Sequence, residues 1–236
     1  MQQSLFISDL HLSEDTPQIE RGLAAFLKQE GDIDRIFLMG DIFEAWIGDD
    51  DDSPLAQHFA DTMKRVADTG TQIYFTRGNR DFLVGQNYLD QFDAKLLGDY
   101  ACVEVAGEST LLMHGDLLCS DDADYLAFRA IAHDPNWQAE MLNKSLEERR
   151  SLAKHLRAMS KEAASNKAED IMDVNDDTVR SVIAKYGVRR LIHGHTHRPR
   201  RHPLQNAERI VLGDWNKTGW YLREREELLE LCEFAL

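Results

Sequence analysis

The chain has 236 residues, a formal net charge of -15 (27 Lys+Arg against 42 Asp+Glu) and a hydrophobic fraction of 43%. That length suits one large domain or two small ones with a sizeable core, and the acidic balance argues against a nucleic-acid binder, which needs a basic footprint. Ordinary charged and aromatic contents, and the lack of any long uninterrupted apolar run, exclude global disorder, low-complexity architecture and a membrane span.

The first nine residues carry neither a basic segment nor a long apolar one, so no signal peptide is expected. Leu5-Phe6-Ile7 is the first of several apolar runs of strand length. Ile36-Phe37-Leu38-Met39, Ile73-Tyr74-Phe75, Leu111-Leu112-Met113, Leu191-Ile192 and Ile210-Val211-Leu212 follow. Continuous rather than alternating patterning predicts strands buried on both faces. Between the first two runs, Thr16-Pro17 marks a helix start, Ile19, Leu23, Phe26 and Leu27 follow at helical spacing, and Gly31 supplies a stop. Ser53-Pro54 opens a second helix with Leu55, Phe59, Met63 and Val66 on one face. Strands alternating with helices predict an α/β sandwich.

From Met113 to Leu191 no strand pattern occurs. Helical signals surround Tyr125, Phe128 and Ile131, then residues 137–142, 145–160 and 177–187. Residues 120–170 are therefore expected to form a helical cap inserted over the core of a single domain spanning 1–236. Cys102, Cys119 and Cys232 are odd in number with no CxxC spacing, which predicts small buried hydrophobes in a reducing compartment. Two basic clusters stand out: Arg149, Arg150, Lys154, Arg157, Lys161 and Lys167, then Arg198, Arg200 and Arg201. They read as solvated faces, with a phosphorylated or anionic-lipid partner as the alternative.

The residues that follow the apolar runs carry the chemistry. The runs lead into Asp9 and His11, into Gly40-Asp41, into Gly78-Asn79-Arg80-Asp81, into His114-Gly115-Asp116, and into His193-Gly194-His195-Thr196-His197. In open α/β sheets, ligands bind where the carboxyl ends of strands converge. Imidazole and carboxylate donors suit Zn, Mn or Fe, and without cysteine a closed structural zinc site is disfavoured. At least seven candidate ligands among these residues are too many for one tetrahedral ion. They predict two ions sharing a bridging carboxylate, the arrangement that clamps attacking and leaving oxygens in phosphoryl transfer. Each motif alone is ordinary, a cap or a core histidine; together, in this order, they are not.

This set of blocks resembles the calcineurin-like metallophosphoesterases. More narrowly, it is similar to the UDP-2,3-diacylglucosamine pyrophosphatases of lipid A synthesis, through residues 40–52, 78–82, 114–122 and 193–199, with 160–163 and 171–175 agreeing in the cap. The resemblance implies a β-sandwich flanked by helices and two divalent ions, usually manganese. Asp41 would bridge, with Asp9, His11 and His197 on one ion and Asn79, His114 and His195 on the other. It implies substrate contacts at Asn79, Arg80, Asp122, Ser160, Lys167 and His195, and leaves His193 to packing or hydrogen bonding. Ala164 stands where the family commonly has a polar residue, with Asn166 as a substitute nearby, and residues 213–216 look less typical.

Many relatives carry histidine where this chain has Arg80, as proton donor to an alkoxide leaving group. Arginine stays protonated and cannot be that acid, but its fork can hold two phosphate oxygens. Arg80 therefore favours a leaving group that is already a weak base, such as a phosphate monoester with a second pKa of about 6. The bland reading of Arg80 is a surface ion pair with Asp81. In the cap, Phe128, Ile131, Trp137, Met141, Leu142, Leu146, Leu152, Leu156 and Met159 read by pattern as packing. The resemblance instead implies a slot for two acyl chains. The expected activity is hydrolysis of UDP-2,3-diacylglucosamine to UMP and 2,3-diacylglucosamine 1-phosphate, catalysed through Asp41 and Arg80, by a cytoplasmic protein peripheral to the inner membrane. A soluble nucleotide pyrophosphatase or phosphodiesterase acting without a lipid is the alternative. A metal-free scaffold predicts eroded ligand positions, and all seven are present.

Overall fold

Every apolar run in the sequence lies in a strand or at its end, and each buries side chains in two directions. The structure is a computed structural model describing residues 3–165 and 173–236. Its strands are β1 (Gln3–Ile7), β2 (Arg35–Met39), β3 (Gln72–Thr76), β4 (Lys95–Leu96), β5 (Ala101–Val105) and β6 (Glu108–Leu112), followed by β7 (Arg190–His193), β8 (Arg200–Leu204), β9 (Ala207–Val211), β10 (Thr218–Arg225) and β11 (Leu228–Ala235). One sheet has the order β11-β10-β1-β2-β3-β4 and the other β5-β6-β7-β9-β8. The β1-β2-β3 and β6-β7-β9 neighbours are parallel, so their carboxyl ends point one way within each sheet.

Alternation along each strand explains the continuous apolar runs. Leu5, Ile7, Ile36, Leu38, Ile73 and Phe75 face outward to helices α1 (Pro17–Glu30) and α2 (Pro54–Ala67), against Ile19, Leu23, Phe59 and Met63. Phe6, Phe37 and Met39 face inward and meet Leu112, Ile192 and Ile210 of the second sheet. Phe6 stacks on Phe37 at 4.8 Å, and Phe37 on Tyr74 at 4.9 Å. After the short α3 (Gln86–Leu89) come α4 (Ala123–Ala132), α5 (Pro135–Leu142) and α6 (Leu146–Ser165), then α7 (Asp176–Tyr186). Val179 and Val182 of α7 cover Leu111 and Leu191 on the outer face of the second sheet. The result is helices, two sheets and a helix in four layers, the α/β sandwich expected.

Details depart from the sequence reading for local reasons. Ser53 caps α2 by accepting from Ala56 N–H at 3.2 Å, whereas the Thr16 hydroxyl pairs with Ser13 at 2.9 Å and caps nothing. The β10–β11 hairpin was not among the predicted strands. Its turn, Glu226-Glu227, has φ 52° and 65°, left-handed conformations that usually announce themselves through Asn or Gly. Of the cysteines, Cys119 is buried, Cys232 half-buried and Cys102 exposed, so burial fails as a reading of Cys102. Among the described residues no helix is long and apolar enough to cross a membrane.

Arg149 and Arg157 of α6 depart from the solvated face expected, while Arg150 and Lys154 remain exposed. Arg149 is buried and donates to Ile47 O and Asp50 Oδ1, each at 2.7 Å, while Arg150 pairs with Asp51 and Asp52 and Arg157 with Glu44. The acidic run after β2 thus latches α6 to the core. Arg198 and Arg201 are likewise engaged, with Asp173 and Glu208.

Candidate active site

The expected ligands all sit just past carboxyl ends of strands: Asp9 and His11 after β1, Asp41 after β2, Asn79 after β3, His114 after β6, His195 and His197 after β7. Backbone bonds tie these ends together. Asp9 N–H donates to Gly40 O at 3.1 Å, His11 N–H to Asp41 O at 3.0 Å, and Gly194 N–H to His114 O at 2.8 Å. Asp81, fully buried, pins two loops by accepting from Gly78 N–H at 2.7 Å and Ile42 N–H at 2.8 Å, and is therefore not the partner of Arg80. Gly78 has no alternative here, because a Cβ would collide with the Asp41 carboxylate and backbone.

Asp9, His11, Asp41, His195 and His197 all have φ between 49° and 68°. Non-glycine residues held left-handed cost on the order of 1–3 kcal/mol each and concentrate at functional sites. The remaining such residues among those described lie in turns and loops away from this cluster.

Two groups of donor atoms result. His11 Nε2 and His197 Nε2 are 3.1 Å apart, and lie 3.9 Å and 3.3 Å from Asp9 Oδ1, a buried oxygen without a hydrogen bond. Asn79 Oδ1 lies 3.0 Å from His114 Nε2 and 2.9 Å from His195 Nδ1, and Asp41 Oδ1 is 3.6 Å from the same His114 nitrogen. Asp9, His11 and His197, and again Asp9, Asp41 and His114, place ligand atoms within 4.8 Å of one another. His114 Nδ1 is 3.0 Å from Met39 O, which can only accept, so Nδ1 carries the proton. A neutral His114 then turns its Nε2 lone pair toward the same space as the Asn79 carbonyl oxygen, as two ligands of one cation would, whereas a protonated ring donates to that oxygen.

The electrostatics also call for positive charge. Burial opposes charge on His114, yet Asp41, Asp9 and Asp116 outweigh it and lift the ring to about 9. Burial would raise the Asp9 carboxyl, but His197 and the neighbouring imidazoles hold it well below the usual range. Asp116, also buried, is held down to about 2 by His114, His195 and Arg129. Burial and His114 depress His195 to about 4. Buried carboxylates at this density call for positive charge. The donor set and its field therefore fit divalent cations taking neutral imidazoles.

A cavity of about 550 Å³ opens from this cluster between the core and α4–α6. Asn79, Arg80, Asp122, Ser160, His195 and Arg198 supply polar wall; Trp46, Phe82, Phe128, Trp137, Met141 and Leu156 supply apolar wall. Asp122 also caps α4 through Tyr125 N–H at 3.0 Å. Lys167, Asn166 and the side chain of Ala164 lie outside what the structure describes. Ile131, Leu142 and Leu146 are not cavity residues.

Known proteins match this arrangement. The model of the calcineurin-like phosphoesterase family matches residues 4–199. A UDP-2,3-diacylglucosamine hydrolase of Cellvibrio japonicus is 48% identical over 224 residues, 93% of either chain, and one of Chromohalobacter salexigens is 46% identical over 239 residues, 98% of this chain and 97% of its own. The chain belongs to the UDP-2,3-diacylglucosamine hydrolase family of calcineurin-like phosphoesterases. The structure of an archaeal phosphodiesterase covers 99% of both chains with a TM-score of 0.53 at 14% identity, a likeness of fold.

Members of this hydrolase family use divalent metals, in keeping with the donor set described above. His193 packs and hydrogen-bonds as the resemblance implied, while Asp214, Asp116 and Glu44 were given no role from the sequence. His193 is buried, held near 3 by burial and Arg209, and its Nδ1 lies 2.8 Å from Gly194 O in the loop that carries His195. Asp214, in the atypical segment, lies 3.9 Å from His197 Nδ1, and the next residue, Trp215, donates its N–H to Asp9 O at 3.0 Å. Asp116 accepts from Tyr125 Oη at 2.5 Å and Arg129 Nε at 2.7 Å. Glu44 meets Arg80, Arg157 and His11 at once. Only proximity to a recognised motif hinted at Glu44 and Asp214, since Arg157, His11 and His197 reach them from other parts of the chain.

Proposed function

We propose that this chain hydrolyses the pyrophosphate bond of UDP-2,3-diacylglucosamine, releasing UMP and 2,3-diacylglucosamine 1-phosphate. The observation that carries the reading is a single cavity with a donor cluster at one end and an aromatic and aliphatic wall along the rest. A phosphate-only substrate has no use for such a wall, whereas acyl chains do.

Asp9, His11, Asp41 and His197 would hold one divalent ion, and Asp41, Asn79, His114 and His195 a second, with manganese as the metal. Bound there, such ions supply positive charge to phosphate oxygens and lower the pKa of water. Arg80, with its backbone N–H on Asp41 Oδ1 at 2.9 Å, stands at the cluster's edge where a diphosphate would lie. Its fork stabilises charge developing on the phosphoryl oxygens and donates no proton, which suits a phosphate leaving group. Asp122 and Ser160 complete the polar contacts, the role expected of Lys167 resting on the resemblance alone, and helices α4–α6 cap the acyl slot. Phe128, Ile131, Leu142 and Met159 are 37–56% exposed on the cap helices and favour peripheral contact with the cytoplasmic face of the inner membrane, where the substrate resides.

The test is UMP release from synthetic acylated and unacylated UDP-glucosamine by the metal-stripped chain, before and after Mn2+ is added. Metal-dependent preference for the acylated compound is expected. Preference for the unacylated one would establish a nucleotide pyrophosphatase without a lipid.

A further inference from the structure

Two guanidinium groups and an imidazole from three separate parts of the chain converge on one carboxylate outside the proposed ligand set. Glu44 follows Asp41 by three residues, and its N–H donates to Leu12 O at 3.0 Å, which staples it beside the His11 loop. From there its Oε2 lies 3.3 Å from His11 Nδ1. Arg80, after β3, donates through Nη1 to both Glu44 oxygens at 2.8 Å. Arg157, on α6, donates through Nε at 3.0 Å and Nη2 at 2.9 Å.

We infer that Glu44 is a positioning residue: one carboxylate orients His11 toward the metal and holds Arg80 and Arg157 ready for the diphosphate. This rests on the function proposed above. A histidine that ligates through one nitrogen carries its proton on the other, and a carboxylate beside that proton selects the tautomer and the ring orientation. Here Nδ1, buried and without another hydrogen-bond partner, lies 3.3 Å from Glu44 Oε2, while Nε2 lies 3.1 Å from His197 Nε2 and 3.9 Å from Asp9 Oδ1. Arg80 divides its charge between Glu44 and Asp41, whose Oδ2 lies 3.2 Å from its Nε, Arg157 shares the Glu44 carboxylate, and both arginines line the cavity. The arginine from the cap is thus placed by the same group that sets a ligand on the core. Arg149 to Asp50 and Arg150 to Asp51 and Asp52 also join α6 to the core, touch none of the ligands and provide the contrast.

The experiment compares Glu44→Gln, Arg157→Gln and Asp50→Asn with the natural chain, each checked for fold by circular dichroism. Mn2+ is titrated calorimetrically into the metal-stripped chains, and KM and kcat are then measured with acylated UDP-glucosamine at saturating Mn2+. Removing a carboxylate that orients a ligand typically weakens metal binding about 10- to 100-fold. Glu44→Gln should show that loss, and at saturating Mn2+ its KM should stay raised about tenfold while kcat recovers further. Arg157→Gln should raise KM comparably with a smaller change in Mn2+ affinity, and Asp50→Asn should leave Mn2+ affinity unchanged. Unaltered Mn2+ binding by Glu44→Gln, or an equal loss in Asp50→Asn, overturns the inference. Should Glu44→Gln not fold, Arg157→Gln decides: an unchanged KM overturns the inference and a raised KM with near-natural Mn2+ binding supports it. If the natural chain releases no UMP, the proposed function fails while the calorimetric comparison still judges Glu44.

Discussion

The strand-end half of the site and the helical half are built by opposite means. On the core, donor groups are buried or half-buried and joined by backbone hydrogen bonds, and five of the seven are held in left-handed conformations that only a rigid frame sustains. On the cap, α6 is fastened by arginine–carboxylate pairs, and large apolar side chains such as Phe128 and Met159 remain exposed. Chemistry that needs atoms placed within fractions of an ångström is assigned to the rigid half. Recognition of a flexible, greasy chain is assigned to the half that can adjust.

Perturbing each half should separate these roles. Asp41 belongs to the rigid half, so Asp41→Ala should abolish UMP release even with excess Mn2+; retained turnover would contradict the two-ion site. Phe6 fills the interface between the sheets with no exposed surface, and Phe6→Ala should cost about 3–5 kcal/mol of stability in urea unfolding. Met141 lines the cavity on α5, and Met141→Ala should raise KM for the acylated substrate about tenfold, corresponding to loss of roughly 1.5 kcal/mol of apolar contact, with little effect on the unacylated compound. Equal effects on both substrates would remove the acyl slot from the account. Arg150 is half exposed, so Arg150→Ala should change stability by less than about 1 kcal/mol, and the difference should fade at high salt.

The strand-end half was legible in the sequence because strands buried on both faces leave continuous apolar runs, and whatever follows them must emerge at one edge. Asp9, Asp41, Asn79, His114 and His195 could be read that way. Glu44 and Arg157 could not: they meet across 113 positions, and nothing local marks either as a partner. The α6 arginines misled for the same reason, their acidic partners lying about a hundred residues upstream. The β10–β11 hairpin stayed hidden because Glu226-Glu227 makes a turn that composition does not announce. Arg80 was legible as chemistry yet not as geometry, since its fork is shared between Glu44 and Asp41 rather than paired with Asp81.

The central claim is that seven side chains from five strand ends surround two cations. Anomalous scattering from a crystal of the chain grown with Mn2+ tests it most directly. The account predicts two peaks, both in contact with Asp41, one beside His11 and His197 and one beside His114 and His195. A single peak, or a second one out of reach of Asp41, would contradict it.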